Sequence, residues 1–287
     1  MHLHRCWYAT LRGTGPDLPL VAETVFLSPE LEAAAALRLE RGTFRILRAT
    51  WTVYRGDRVP PESREVPDLV GAEAYFGAGP ALKAAFPAEE LPRELFAEAV
   101  RAAIQGETFL YAERGHASAE SYSRYWEQAY RDSCRYYSNL SLVTRNWAEY
   151  TEDHRRDGNL FNRFKFVTVA PGGDGLLSVV AGLSDSFHEL GLRLLVTTDA
   201  EPRISSATAR LVRAPDRVCL PSADRVRNLV GLTVNGRSKK DLILLVGGPQ
   251  GCTHLADLTA DAVRAVRDLG ARGRSASGGL GHGIGLR

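Results

Sequence analysis

The sequence predicts an α+β protein: two copies of one unit, each an antiparallel sheet followed by a helix, joined by a helical segment. The main observation is an internal repeat. FRILRATWTVYR (44–55) lies over PRISSATARLVR (202–213), and LFAEAVRA (95–102) lies over LTADAVRA (258–265). Five such matches keep the same chain order at offsets between 155 and 163 residues. Repeats of this kind indicate a duplicated structural unit.

The strands and helices of each copy are predicted from residue periodicity. Polar and apolar residues alternate in FKFVTV and LRLLVTT, which is typical of half-buried strands. Turn residues separate these runs at PGGDG (171–175) and TDAEP (198–202). A helix over 93–105 closes the first copy and a helix over about 255–269 closes the second, where apolar residues recur at helical spacing. Strands with short turns followed by helices indicate an antiparallel α+β unit.

These patterns divide the chain of 287 residues into four predicted regions. A first repeat without metal ligands covers 1–105, and a helical connecting segment with aromatic residues at helical spacing covers 106–157. The second repeat, 158–270, is predicted to carry the site. The Gly/Ser-rich tail, 271–287, has the composition of a disordered segment.

Charge and composition exclude several classes of partner. With 36 basic and 34 acidic residues the net charge is +2, so we expect neither nucleic acid nor an anionic membrane as a partner. No apolar run approaches the ~20 residues of a membrane span, and the polar N-terminus does not resemble a signal peptide. Four cysteines suit free or metal-bound thiols in a reducing compartment. We therefore expect a cytoplasmic protein.

The second copy contains residues that are suited to bind a metal and that the first copy lacks. His188 stands before a predicted strand, Cys219 before a predicted helix, and Cys252 in a Gly-rich loop at a helix start, with His254 close by. Nitrogen and sulfur ligands favour Zn or Fe over Ca or Mg. At a helix N-terminus the dipole favours the thiolate form that metals bind. We predict a single metal site with these four residues as candidate ligands.

Two further cysteines and two acids complete the candidate list. Glu189, Asp185 or His254 are candidate general bases near the metal. Cys134 could be an additional ligand, but it shares a helical stripe with aromatic residues, which favours a core position. Cys6, in the first predicted strand, is expected to be structural. The fourth ligand is left open between His254, Cys134, water and substrate.

The pattern FHELGLRLLV, VCLP and GGPQGCTHLADL resembles an uncharacterised bacterial family, a domain of unknown function. The signature of that family is His-Asp/Glu before a strand, a Cys in the middle of the domain, and Gly-Cys-Thr-His-Leu. The resemblance covers about 155–267 and implies no particular activity.

The same segments are more distantly similar to iron–sulfur scaffold proteins of the IscU/NifU type. That resemblance implies a repeat with an IscU/NifU-like fold, with His188 at the family's ligand Asp, Cys219 at its middle Cys and Cys252 at its last Cys. Ser186 stands where the family has its first Cys, and Gly251 where it has a His. Two usual ligands are thus missing, which argues against a standard cluster-building role.

Three functional hypotheses follow. In the first, a metalloenzyme binds Zn or Fe with an open position and acts on a small-molecule substrate. In the second, an iron–sulfur cluster bound by Cys219, Cys252 and His188 is passed to a partner protein. In the third, which involves no metal, Cys252 is a nucleophile activated by His254 or His188.

Overall fold

A computed structural model describes residues 2–13, 15, 18–153 and 156–277. Nine strands form one antiparallel sheet. Their bounds are β1 (Leu3–Gly13), β2 (Leu20–Leu27), β3 (Leu31–Leu39), β4 (Ile46–Gly56), β5 (Glu62–Glu65), β6 (Asn159–Gly173), β7 (Leu176–Asp185), β8 (Glu189–Thr197) and β9 (Ile204–Arg213). The strand order is β5-β4-β3-β2-β1-β6-β7-β8-β9, so the first strands of the two halves of the chain are neighbours at the centre.

The central pair β1 and β6 makes the sheet continuous. The two strands are antiparallel, and their register runs from Leu3 opposite Val169 to Leu11 opposite Phe161. Inward positions alternate with outward ones along both strands, as the pleat requires. A row of backbone hydrogen bonds therefore joins the two halves through a shared sheet.

The predicted tandem duplication of an IscU/NifU-like unit is wrong, because the strands of both halves belong to one sheet of nine. The α+β class itself holds. The matched segments lie on strands and on two helices, elements that both halves of the chain contain. Such local similarity does not define separate units. The backbone pairing of β1 with β6, which joins the two halves, cannot be predicted from the side-chain pattern.

Helices cover one face of the sheet. Their bounds are α1 (Gly79–Ala85), α2 (Glu90–Gly106), α3 (Ala119–Ala129), α4 (Arg135–Ser138), α5 (Trp147–Asp153), α6 (Lys239–Val246) and α7 (Thr253–Ser277), with 3₁₀ helices at Pro67–Leu69, Phe76–Ala78, Glu107–Phe109, Leu140–Leu142 and Arg217–Leu229. Helix α2 packs on β1–β3, and α7 packs on β6–β8. The segment predicted to connect the halves contains α3, α4 and α5, whose aromatic side chains join the core.

The inward face of β6 carries two charged residues, Arg163 and Lys165, at the boundary between α2 and α7. Lys165, 3% exposed, donates to Glu98 of α2 at 2.7 Å and to Asp261 of α7 at 2.8 Å. Its ammonium group also lies 5.2 Å from the centre of the Trp7 ring. Buried charges persist only when they are paired, so this network ties both helices to the centre of the sheet.

At the C-terminal end, residues 271–277 continue α7, and the rest of the predicted tail, 278–287, lies outside the described residues. Within the part of the chain that the structure describes, no helix combines the length and the apolarity that crossing a membrane requires.

Candidate functional site

A pocket of about 80 Å³ opens where the connecting segment meets the start of α7 and the 3₁₀ helix Arg217–Leu229. All four predicted ligands line it: His188, Cys219, Cys252 and His254. Its walls also include Cys134 and a set of aromatic side chains, Trp126, Tyr130, Tyr136, Tyr137 and Trp147. Residues that are far apart in the sequence thus converge on one cavity, large enough for a few water molecules or a small ligand group.

The turn from β7 to β8 presents His188 to this pocket. Asp185, the last residue of β7, accepts hydrogen bonds at Oδ1 from the backbone N–H groups of Phe187 (2.8 Å) and His188 (2.6 Å). The same oxygen lies 3.1 Å from Nδ1 of the His188 ring. A short polar side chain that satisfies the next backbone donors is typical of such a turn. One carboxylate oxygen therefore sets both the backbone and the ring orientation of His188.

The second oxygen of Asp185 is bound by Arg163 on the neighbouring strand β6. Oδ2 accepts from Nε at 3.1 Å and from Nη2 at 2.8 Å, which is a two-point guanidinium contact. Burial alone would raise the pKa of Asp185, but His188 and Arg163 outweigh burial and hold that pKa well below its usual range. Because an ionised Asp185 can only accept, Nδ1 of His188 carries the proton and donates it, and Nε2 of a neutral ring is free.

His254, in the first turn of α7, lies against His188. The two ring centres are 3.9 Å apart and the ring planes make an angle of 34°. Burial, and then the neighbouring His188 and Arg163, lower the pKa of His254 well below its ordinary value. His254 is therefore neutral at physiological pH. One potential ligand atom from each of Asp185, His188 and His254 lies within 4.8 Å of the others.

The two thiols are close to this cluster but do not belong to it. Among the described residues, Asp185, His188 and His254 are the one group of three or more candidate ligands that meets the 4.8 Å separation. Burial raises the pKa of Cys219 and that of Cys252 to about 12. The hydrogen bonds that Cys252 receives from the backbone N–H groups of Leu255 and His254 act in the opposite direction and are outweighed. Both sulfurs are thus neutral thiols in the metal-free protein.

Glycine in the loop before Cys252 has a packing role. A Cβ atom on Gly251 would lie 2.0 Å from the carbonyl oxygen of Val246 and 2.4 Å from that of Gly247. The loop folds back on itself, and Cys252 N donates to the Val246 oxygen at 3.2 Å. Glycine is required here because backbone atoms of the loop approach one another closely.

The remaining predicted residues do not belong to the Asp185–His188–His254 cluster. Glu189 is exposed at the start of β8 and does not line the pocket, because it points to the other side of the strand from Leu190. Cys134 lines the pocket wall and burial raises its pKa. Cys6 is on β1, where its sulfur is 3.1 Å from Nε2 of His4. All four cysteines are unpaired.

Sequence reasoning missed Arg163 as a partner of the site. The signal was available: in RFKF (163–166) two basic residues occupy inward positions of a strand whose other inward residues are apolar. Charges at such positions are rarely buried without a partner. No comparable pattern marks Arg135 and Ser222, which also line the pocket.

The fold and the site together define an α+β protein with an Asp–His–His cluster whose two histidines line an aromatic pocket. Residues 169–267, about a third of the chain, match the sequence profile of a family described as "Protein of unknown function (DUF2889)". This finding supports the predicted similarity to an uncharacterised family, and the matched region contains Asp185, His188, Cys219, Cys252 and His254. No curated protein and no solved structure matches the chain, so similarity to IscU/NifU scaffolds has no support from these comparisons.

Proposed function

We propose that this protein is an enzyme that acts on a small molecule in the aromatic pocket, with His188 as general base. One observation carries the proposal: the Asp185–His188 hydrogen bond at the pocket wall, with Asp185 itself fixed by Arg163 and by two backbone N–H groups. A base that is oriented by a carboxylate recurs in general-base and nucleophilic catalysis.

The roles of the residues follow from this arrangement. Asp185 keeps the proton of His188 on Nδ1, so Nε2 can take a proton from water or from a hydroxyl or thiol group of the substrate. The ionised carboxylate then stabilises the imidazolium that forms. Neutral His254 lies beside the reacting group as a hydrogen-bond partner. The first turn of α7, which includes His254, offers the positive end of the helix dipole to developing negative charge.

Diethyl pyrocarbonate tests this proposal without a known substrate, because it acylates unprotonated imidazole nitrogens. We expect His188 to be acylated rapidly, and peptide mass spectrometry locates the modified residue. We expect His188→Gln to remove this rapid phase of the acylation. The variant should also lower the hydrolysis of p-nitrophenyl acetate, an activated ester that reports a nucleophilic or basic imidazole. Exposed His4 provides the internal comparison. Reaction of His188 no faster than that of His4, with unchanged ester hydrolysis in His188→Gln, would refute the role.

Metal binding is a second candidate function, favoured by the 4.8 Å grouping of Asp185, His188 and His254. The donors fit in part. Both oxygens of Asp185 are already occupied by N–H donors, so Asp185 acts as the carboxylate partner of a ligating histidine. His188 and His254 would then bind Zn or Fe, with Cys219 and Cys252 as further candidate ligands. Such a centre would act as a Lewis acid or activate water.

Metal analysis of the purified protein tests this second candidate. We expect about one Zn or Fe per chain, strongly reduced in His188→Ala, Cys219→Ser and Cys252→Ser and unchanged in Cys6→Ser. A brown protein with thiolate charge-transfer absorption would indicate an iron–sulfur cluster, which could then be passed to a partner protein. Metal content near zero in protein purified without chelator would exclude both the Zn or Fe centre and the iron–sulfur cluster. The four unpaired cysteines support our proposal of a reducing compartment such as the cytoplasm.

A further inference from the structure

The pocket combines aromatic walls with a single fixed positive charge. Trp126, Tyr130, Tyr137 and Trp147 contribute aromatic surface, and Leu211 adds an aliphatic side chain. Among the lining residues no Asp, Glu or Lys is present, and Arg135 supplies the one permanently charged group. A site of this composition favours a flat apolar ligand that carries negative charge.

Arg135 is held so that one side of its guanidinium group stays available. Its Nε donates to the carbonyl oxygen of Val218 at 2.8 Å, and its Nη1 donates to the side-chain oxygen of Gln250. The backbone N–H of Arg135 donates to the oxygen of Gly251 at 2.9 Å, which ties α4 to the loop before α7. The guanidinium of this pocket-lining residue is thus oriented, and its Nη2 has no hydrogen-bond partner among the described residues.

Ser222 supplies a second, independent indication of a polar ligand. Its side chain is 0% exposed, it lines the same pocket, and its Oγ has no hydrogen-bond partner. Leaving a buried hydroxyl unsatisfied costs about 1–3 kcal/mol, so such groups are normally paired. A ligand oxygen in the pocket would satisfy the hydroxyl.

We infer that the substrate of this pocket is an ester or thioester of an aromatic carboxylic acid, and that the pocket also binds the product, the aromatic carboxylate. Its carboxyl oxygens are bound by Nη2 of Arg135 and by Oγ of Ser222, and its ring packs against the aromatic wall. The inference names the substrate class of the proposed enzyme and therefore rests on that proposal. Water activated by His188 would attack the acyl carbon, the bond to the alkoxide or thiolate leaving group would break, and that group would take up the proton from His188.

The size of the cavity restricts how much of the substrate is enclosed. At about 80 Å³ it is smaller than the ~150 Å³ cavity in which benzene is fully buried. The carboxyl end and part of a single ring therefore fit, while the remainder of the molecule extends through the opening. Larger substituents are expected on the side of the ring opposite the carboxyl group.

The test is calorimetric titration of the full chain with benzoate, cyclohexanecarboxylate and benzyl alcohol. We expect benzoate to bind, cyclohexanecarboxylate to bind about fivefold more weakly for lack of a π-system, and benzyl alcohol about tenfold more weakly for lack of charge. Arg135→Gln should weaken benzoate binding about tenfold and Ser222→Ala about fivefold. Arg131→Gln is the matched control, since Arg131 is exposed and does not line the pocket.

Each outcome has a defined meaning. No benzoate binding to the native protein, or equal binding of all three compounds, overturns the inference. Unchanged affinity in both Arg135→Gln and Ser222→Ala overturns it as well. Because Arg135 also ties two loops together, Ser222→Ala and the ligand series decide the matter if Arg135→Gln does not fold. Benzoate binding by a protein whose His188 shows no enhanced reactivity would refute the proposed base while leaving the ligand class intact.

Discussion

Replacing Asp185 with asparagine perturbs the candidate site at the residue on which its geometry depends. The side chain of Asp185 is 0% exposed and accepts from three N–H groups at Oδ1 and from Arg163 at Oδ2. An amide of the same shape must turn its NH₂ group either toward Arg163 or toward the backbone donors. In both orientations a donor faces a donor, and the positive charge of Arg163 loses its partner.

The loss in free energy of unfolding can be estimated from the contacts that remain in the variant. Arg163 is 5% exposed, and its other acidic neighbour, Glu98, is 3.8 Å away. Removing one partner of a buried ion pair costs about 3–5 kcal/mol. Because Glu98 retains part of the attraction, we expect the lower end, about 3 kcal/mol, which corresponds to a decrease in Tm of about 6 °C for a chain of this size. The folded-state pKa of Asp185 is lowered, so its stabilisation is present above about pH 4 and is lost as pH falls below that value.

Urea denaturation at pH 7 and at pH 3.5 measures this loss, together with the diethyl pyrocarbonate reactivity of His188. Asp174→Asn is the matched control, because Asp174 is exposed in a turn at φ 49°, a conformation that asparagine adopts readily. We expect Asp185→Asn to be destabilised at pH 7, less so at pH 3.5, and slower to react at His188. A variant as stable as the native protein, with unchanged His188 reactivity, would refute the reasoning about this pair.

Three further predictions concern buried groups. Lys165→Met is expected to lower the free energy of unfolding by about 3 kcal/mol in chemical denaturation, because two buried carboxylates lose their shared cation. Adding Glu98→Gln should recover part of the lost stability, and strictly additive losses in the double variant would argue against the pairing. In metal-free protein the lowered pKa of His254 means that below about pH 6.5 the unfolded chain binds a proton that the folded chain does not. Stability should therefore fall by up to about 1.4 kcal/mol from pH 7.5 to 5.5, and His254→Gln should flatten this slope. With pKa values near 12, Cys219 and Cys252 should react with an aromatic disulfide reagent only after denaturant is added, and rapid labelling of the native protein would contradict their burial.

Local structure was predictable where it depends on neighbours in the sequence. Alternation in FKFVTV predicts the strand that is β6, and apolar spacing predicts helices within the bounds of α2 and α7. The same local cues place Cys252 just before a helix, as the structure shows. His188 and His254 were predicted as neighbours from their residue types, and the structure brings their rings together. These features rest on residue type and short-range periodicity, which are written in the sequence.

Other properties of the site were not predictable, because they depend on contacts between distant segments. Cys252 illustrates this: its helix N-terminus favours a thiolate, but burial under the connecting segment outweighs that effect and keeps the thiol protonated. The continuity of the sheet across β1 and β6 was equally invisible, since backbone hydrogen bonds carry no residue signature.

The sequence by itself determined the α+β class, the strand and helix segments, and the residue types that line the candidate site. Only the tertiary structure decided that both halves share one sheet, that Arg163 fixes Asp185, and that Asp185 orients His188. The physical reason is that periodicity acts over a few residues, whereas burial, charge pairing and strand order depend on which distant segments come to lie side by side.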